Sequence, residues 1–249
     1  MLTDTHIHIH EKTYPLDAEE TYQEALAAGV TKMICVGTHL ESSQQAVKFA
    51  EAHAGVFASL GIHPHESKSN DVAELEKLIT HSKVVAVGEC GLDYYYNHSP
   101  KEVQIEALRQ QIELALAHNK PLSFHVRDAF DDFWPIFDSY NGIRGVLHSF
   151  TDSRDNLEKA MERGLYIGVN GIATFTKIDE QKTMFKNIPL EKLLLETDAP
   201  FLTPVPHRGT INKPAYVMCI ATNLAELHSL SLEEIAKATT SNAHTLFSL

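Results

Sequence analysis

The chain has 249 residues, 43% of them hydrophobic, and a formal net charge of −12. That length and apolar content suffice for one large core, so a single domain over residues 1–249 is expected, a size α/β barrels routinely reach undivided. The negative charge argues against a broad basic surface gripping nucleic acid and predicts weak non-specific DNA binding; it does not exclude a nucleic-acid substrate where bound divalent ions supply local positive charge.

Strand-like apolar runs alternate with amphipathic stretches from one end to the other. Strand candidates begin near Leu2, Lys32, Val56, Val84, Pro121, Arg144, Gly164 and Lys192. Helical patterns fall near residues 17–29, 42–54, 71–82, 101–119, 128–140, 154–163 and 179–187, with two more after the last strand. This alternation predicts βαβ units and a parallel sheet, and eight of them predict a single (β/α)8 TIM barrel. Ser99, Pro100 and Glu102 read as a capped helix start; Asp71 with Glu74 and Ser231 with Glu234 repeat the logic. Ile105, Leu108, Ile112, Ala115 and Leu116 form one apolar helical stripe. A loop rich in proline, residues 199–214, follows the eighth strand and is expected to lie over the barrel mouth.

Cys35, Cys90 and Cys219 are an odd number at unrelated spacings, with no CxxC zinc pattern. The first strand begins almost at once, without a basic-then-apolar leader, and no apolar run approaches membrane-spanning length. A soluble protein of the reducing cytoplasm, with no membrane association and no obligate protein partner, is the expectation.

Chemistry concentrates where strand patterns end. His6 and His8 are two apart on a strand, so both imidazoles point to one side and can converge on one ion. Glu89, His125, His148 and Asp198 each follow or close an apolar strand run. Exposed loops explain one or two ionisable residues at strand ends, but six of them fit a metal site gathered at one face of a barrel. The set suits two divalent ions sharing Glu89, with His6 and His8 on one and His125 and His148 on the other. Asp198 then ligates the first ion and accepts a proton from its water. Mixed nitrogen and oxygen ligands admit Mg²⁺, Mn²⁺, Zn²⁺ or Fe²⁺, so one or two divalent ions of unspecified identity are expected.

The strings TDTHIHIH, VGECGLDYY, FHVRDAF, LHSFT and LLLETDAPFLTPVPHRG, in that order, resemble the TatD family of metal-dependent deoxyribonucleases. The resemblance runs from Asp4 to residues 242–247. It implies a TIM barrel with a one- to two-metal site. On the matching positions it implies ligand roles for His6, His8, Glu89, His125 and His148, and a joint ligand and acid/base role for Asp198. It further implies hydrolysis of phosphodiester bonds from DNA 3′ ends. Departures fall outside the six residues. His10 stands where the family usually carries Asp and is expected to lie exposed in a loop; Asp152 stands near a usual glycine, and Asn170 where serine is common.

Further candidates surround this set. His63, in Gly61-Ile62-His63-Pro64-His65, either contacts a phosphate or orders its loop. Arg127 shares the side of His125 and is expected to clamp phosphate, the alternative being an ion pair with Asp128 or Asp131. His207 and Arg208, on the proline-rich loop, are placed to hold a phosphate oxygen, and Tyr94, Tyr95 and Tyr96 offer faces for base stacking or for packing. Cys90 is rejected as a nucleophile, since metal-activated water needs no thiol. The reading is a metal-dependent nuclease acting on DNA single strands or 3′ ends. The alternative is a small-molecule amidohydrolase or lactonase; such enzymes often bridge their ions with a modified lysine from the fourth strand, whereas Lys83 lies at that strand's wrong end. A non-enzymatic metal-binding protein is a third reading, disfavoured by the complete ligand set.

Overall fold

The computed structural model describes residues 1–69 and 71–249. Its eight strands are β1 (Leu2–Ile7), β2 (Val30–Val36), β3 (Val56–Leu60), β4 (Val84–Asp93), β5 (Leu122–Arg127), β6 (Gly145–Leu147), β7 (Tyr166–Val169) and β8 (Leu193–Leu195). They form one sheet in the order β1 to β8, and Ile7 bridges in parallel to Ala199 just past β8, so the first strand meets the last. This is the expected (β/α)8 barrel. The helices are α1 (Ala18–Ala27), α2 (Leu40–Ala52), α3 (Lys101–Ala117), α4 (Phe130–Asp138), α5 (Arg154–Glu162), α6 (Ile172–Phe175), α7 (Asp179–Asn187), α8 (Val217–His228) and α9 (Leu232–Phe247).

Contacts fall into two compact units. The first comprises Met1–Ile34 and Ser149–Leu249, the second Cys35–His148. In the first, α8 and α9 pack on each other and on β1 and β8. The Ser231–Glu234 capping box is present at the start of α9, where the Ser231 hydroxyl accepts from the Glu234 amide and Glu234 reaches back to the Ser231 amide. In the second unit α2 packs on β3, α3 on β4 and α4 on β5. Every residue of β4 is buried, which is why its first half, Val84–Gly88, runs apolar and small without polar alternation, and why Glu89 and Asp93 need partners.

Three local expectations are corrected. Residues 71–82 do not form an α-helix; Val72–Lys77 is a 3-10 helix capped by Asp71. The buried Val72 and Leu75 are three apart, one turn of that tighter helix. Ser99 does not cap α3. Its hydroxyl donates to His65 O (2.9 Å) and accepts from Lys68 N (3.2 Å), which leaves Pro100 at the cap without a side-chain bond. His10 is buried rather than exposed, its ring 6.3 Å from that of His8.

The second unit's core includes an aromatic cluster in which Phe133 meets Phe124 edge-on, centroids 5.1 Å apart, with both side chains fully buried. Phe133→Ala should cost about 3–5 kcal/mol, read as a lower urea midpoint with an unchanged slope.

Candidate metal centre

The first unit assembles its donors from β1 and the turn after β8. His6 Nε2 and His8 Nε2 lie 3.1 Å apart. Asp198 Oδ1 is 3.4 Å from the His8 nitrogen and 3.9 Å from that of His6. Ligands about 2.0–2.2 Å from one ion stand roughly 3–4 Å from each other, according to the angle between them, so two imidazoles and a carboxylate at these separations fit a single divalent ion. Asp198 is held there by its backbone. It adopts φ 58°, a left-handed conformation that Asp tolerates better than most residues, and its N–H donates to His6 O at 2.9 Å.

Beneath these donors lies Asp4, fully buried, on the same side of β1 as His6 and His8 by the two-residue period. Its carboxyl accepts from the Thr197 amide (2.9 Å) and pairs with the Thr197 hydroxyl (2.6 Å). Burial, with Glu196 adding repulsion, pushes its pKa up to about 8 despite those bonds, so the group holds its proton at neutral pH. Glu196 is buried too and accepts from the Ser149 amide at 2.6 Å. Its carboxylate fills the space that a side chain at Gly168 would need. Asn212, also buried, donates to Thr197 O at 2.8 Å and completes a polar frame around the residue preceding Asp198.

The second unit gathers three imidazoles around one carboxylate oxygen. Glu89 Oε1 lies 2.9 Å from His125 Nδ1, 3.4 Å from His63 Nε2 and 3.8 Å from His148 Nε2. Glu89 sits inside β4 rather than at its end, at a break in the register between β4 and β5. His125 lies within β5 and His148 immediately follows β6. Gly91 lets β4 approach β5 here, since a side chain at that position would strike the His125 backbone.

Asp93 determines how these rings are used. Its Oδ2 accepts from His125 Nε2 (2.9 Å) and from His65 Nε2 (3.0 Å), while Oδ1 accepts the amides of Tyr95 and Tyr96, both at 3.0 Å. Burial alone would raise its pKa, but these donors outweigh burial and hold it well below the usual carboxylate range. An ionised carboxylate only accepts, so His125 Nε2 carries a proton, and Nδ1, 2.9 Å from Glu89 Oε1, is the nitrogen that faces the Glu89 carboxylate. A metal-binding histidine backed by a carboxylate has this arrangement. Burial would lower the His125 pKa, yet its bonds to Asp93 and Glu89 raise it. His63 is the opposite case: its Nδ1 accepts the His65 amide at 3.1 Å, which puts its proton on Nε2, facing Glu89. Burial pushes its pKa down to about 4, so it is a neutral donor.

The remaining candidates are placed as follows. Arg127 is exposed at the end of β5, its guanidinium over the rings of Tyr95 (4.1 Å) and Tyr96 (4.8 Å). Arg208 donates to Thr203 O (2.6 Å) and lies over Phe175, while His207 stacks flat on Tyr216 at 3.9 Å. Asn170 donates to Ser149 Oγ at 2.7 Å. Cys90 is buried with its thiol pKa pushed up by burial, which makes it inert. Sequence reasoning gave no role to Asp93, Asp4 or Asn212. A signal for the first two was present in the strand period, since Asp93 follows Glu89 by four positions and Asp4 precedes His6 by two.

The family described as TatD related DNase matches residues 3–248. The chain belongs to the TatD family. Among its relatives, the uncharacterized metal-dependent hydrolase YabD of Bacillus subtilis is 39% identical, the match covering 99% of each chain. The 3′-5′ ssDNA/RNA exonuclease TatD of Salmonella typhimurium is 34% identical, with 98% of each covered. The crystal structure of the TatD homolog YjjV from Escherichia coli superposes at a TM-score of 0.93 with 30% identity, covering 100% of this chain and 98% of that one. TatD-type metal-dependent hydrolysis is therefore the reaction class. Among the described residues no helix is long and apolar enough to cross a membrane.

The raised Asp4 pKa makes a signed prediction for metal-free protein. The folded chain keeps this proton up to pH about 8, whereas the unfolded chain releases it near 3.8. The stabilisation is therefore fully present below pH 3.8 and lost as pH rises toward 8, by up to about 1.4 kcal/mol per pH unit. Asp4→Asn keeps the bonds without the proton and should gain stability relative to the parent chain across that window. Urea titrations in chelator at several pH values measure it, and a pH-independent difference would show an ordinary carboxylate.

Proposed function

We propose that the chain is a metal-dependent phosphodiesterase that shortens single-stranded DNA from the 3′ end. The observation that carries this reading is the His6, His8 and Asp198 group, whose donor separations suit one divalent ion. In the proposal, His125, His148 and Glu89 ligate a second. Bound at these groups, divalent ions would supply a lowered pKa for the attacking water and positive charge for the attacking and leaving oxygens. The chain's own groups do the rest. Asp198 accepts the proton of the attacking water, and its left-handed backbone, pinned to β1, fixes the direction of that carboxylate. His63, neutral with its proton on Nε2, gives that N–H to a non-bridging phosphate oxygen once Glu89 is engaged by an ion. Arg127 donates within its own plane while its face rests on tyrosine rings. His207 and Arg208, on the loop after β8, supply further phosphate contacts. The name of the Salmonella relative supports an exonuclease of this polarity. The acidic net charge supports contact limited to a few nucleotides, so frayed ends and single strands are preferred to duplex interiors.

An end-labelled single-stranded oligonucleotide, given to metal-stripped protein with Mg²⁺, Mn²⁺ or Zn²⁺ restored, should shorten stepwise from its 3′ end. Asp198→Asn should lower turnover by roughly 10²–10⁴-fold while the fold persists. Absence of cleavage with every metal, with metal uptake confirmed, would hand the site to a small-molecule amide or lactone. Asp93→Asn leaves the His125 tautomer unfixed and should weaken Mn²⁺ binding about 10–100-fold in a calorimetric titration; unchanged affinity would remove Asp93 from the metal's support.

A further inference from the structure

Two tyrosines follow Asp93 and are left more than half exposed, Tyr95 at 59% and Tyr96 at 52%. Their neighbour Tyr94 is a packing residue, with its hydroxyl donating to Asp132 (2.8 Å) and Lys101 lying 3.9 Å over its ring. Tyr95 and Tyr96 are different. Their rings meet edge to face, centroids 4.8 Å apart at 86°, and the Arg127 guanidinium lies over both. Tyr96 is backed by His98, nearly parallel to it at 5.8 Å, and meets His65 at right angles, 5.5 Å between centroids. Their backbone is fixed as well, because both amides donate to Asp93 Oδ1, the carboxylate whose other oxygen orients His125. The rings are thus rigidly referenced to a candidate metal ligand, although each keeps much of its surface in water.

We propose that the ring surface of Tyr95 and Tyr96 left exposed beside the covering Arg127 guanidinium forms a stacking subsite for the bases of a single-stranded nucleic acid. This rests on the phosphodiesterase reading and names how its substrate is held. Every base has a π face, so rings of this kind bind without demanding a sequence. Arg127 supplies a cation beside the rings on a chain of net charge −12, where a phosphate attached to the stacked base needs one. Bases within a duplex are stacked on each other and cannot lie on the rings, so the subsite selects single strands.

The test separates base from backbone. Fluorescein-labelled octathymidylate and an octamer of abasic residues with equal charge are titrated by anisotropy against Asp198→Asn protein with Mn²⁺. The same titrations are made with Tyr95→Ala/Tyr96→Ala and with Tyr95→Phe/Tyr96→Phe added. Loss of stacking weakens octathymidylate binding about tenfold or more, leaves abasic binding unchanged, and is rescued by phenylalanine. Equal weakening on both octamers, or none on octathymidylate, overturns the subsite. Hydrolysis of bis(4-nitrophenyl) phosphate by the parent chain tests the phosphodiesterase reading on its own, so failure of one is not failure of the other.

Discussion

A buried carboxylate must be satisfied, and Asp93 is satisfied by four donors from three parts of the second unit. Leaving such a charge unpaired in a protein interior costs several kcal/mol. The surroundings are accordingly arranged to supply His125, His65 and two tyrosine amides. One consequence is chemical: the proton on His125 Nε2 is spoken for, and Nδ1 is turned toward Glu89. Another is spatial, because the loop carrying Tyr95 and Tyr96 cannot move without breaking bonds to the same group. A substitution at Asp93 therefore disturbs the ring, the loop and the neighbouring imidazole together.

The first unit solves the same problem differently. Asp4 lies behind His6 and His8, but its bonds come from Thr197 and the His6 amide and no cation among the described residues offsets its burial, so it keeps a proton instead of a charge. Thr197 is in turn held by Asn212, and it directly precedes Asp198. The left-handed turn at Asp198 is thus built on a frame of buried polar groups, as strained backbone at functional positions generally is. In both units the metal-type donors stand on strands or immediately past them, and the groups that orient them lie one layer deeper. Rigid elements with a satisfied supporting layer are what hold a site to the tolerance that catalysis needs.

Much of this was legible from the sequence. Alternating strand and helix patterns led to the eight-stranded barrel, with strand starts within about two residues of those found. The period of a β-strand placed His6 beside His8, and the ends of apolar runs drew attention to Glu89, His125, His148 and Asp198. What escaped depends on contacts between strands. Nothing local to Asp93 announces that its partners lie at His65 and His125. In the sequence Arg127 reads as a phosphate clamp competing with an aspartate pair, because cation–aromatic contact with Tyr95 and Tyr96 requires knowing that β4 and β5 pair with Asp93 opposite Arg127. His10 reads as a polar loop residue, yet the turn after β1 folds it inward. Such outcomes follow from tertiary packing, which propensity and periodicity do not encode.

The central claim is that His6, His8 and Asp198 form one metal site and His125, His148 and Glu89 supply another. A crystal soaked in Mn²⁺, with anomalous scattering recorded near the manganese edge, tests it most directly. The account predicts one peak about 2.0–2.3 Å from the Nε2 atoms of His6 and His8 and an oxygen of Asp198, and a second against Glu89 Oε1, His125 Nδ1 and His148 Nε2. A crystal saturated with Mn²⁺ that shows no anomalous peak at either group would contradict it.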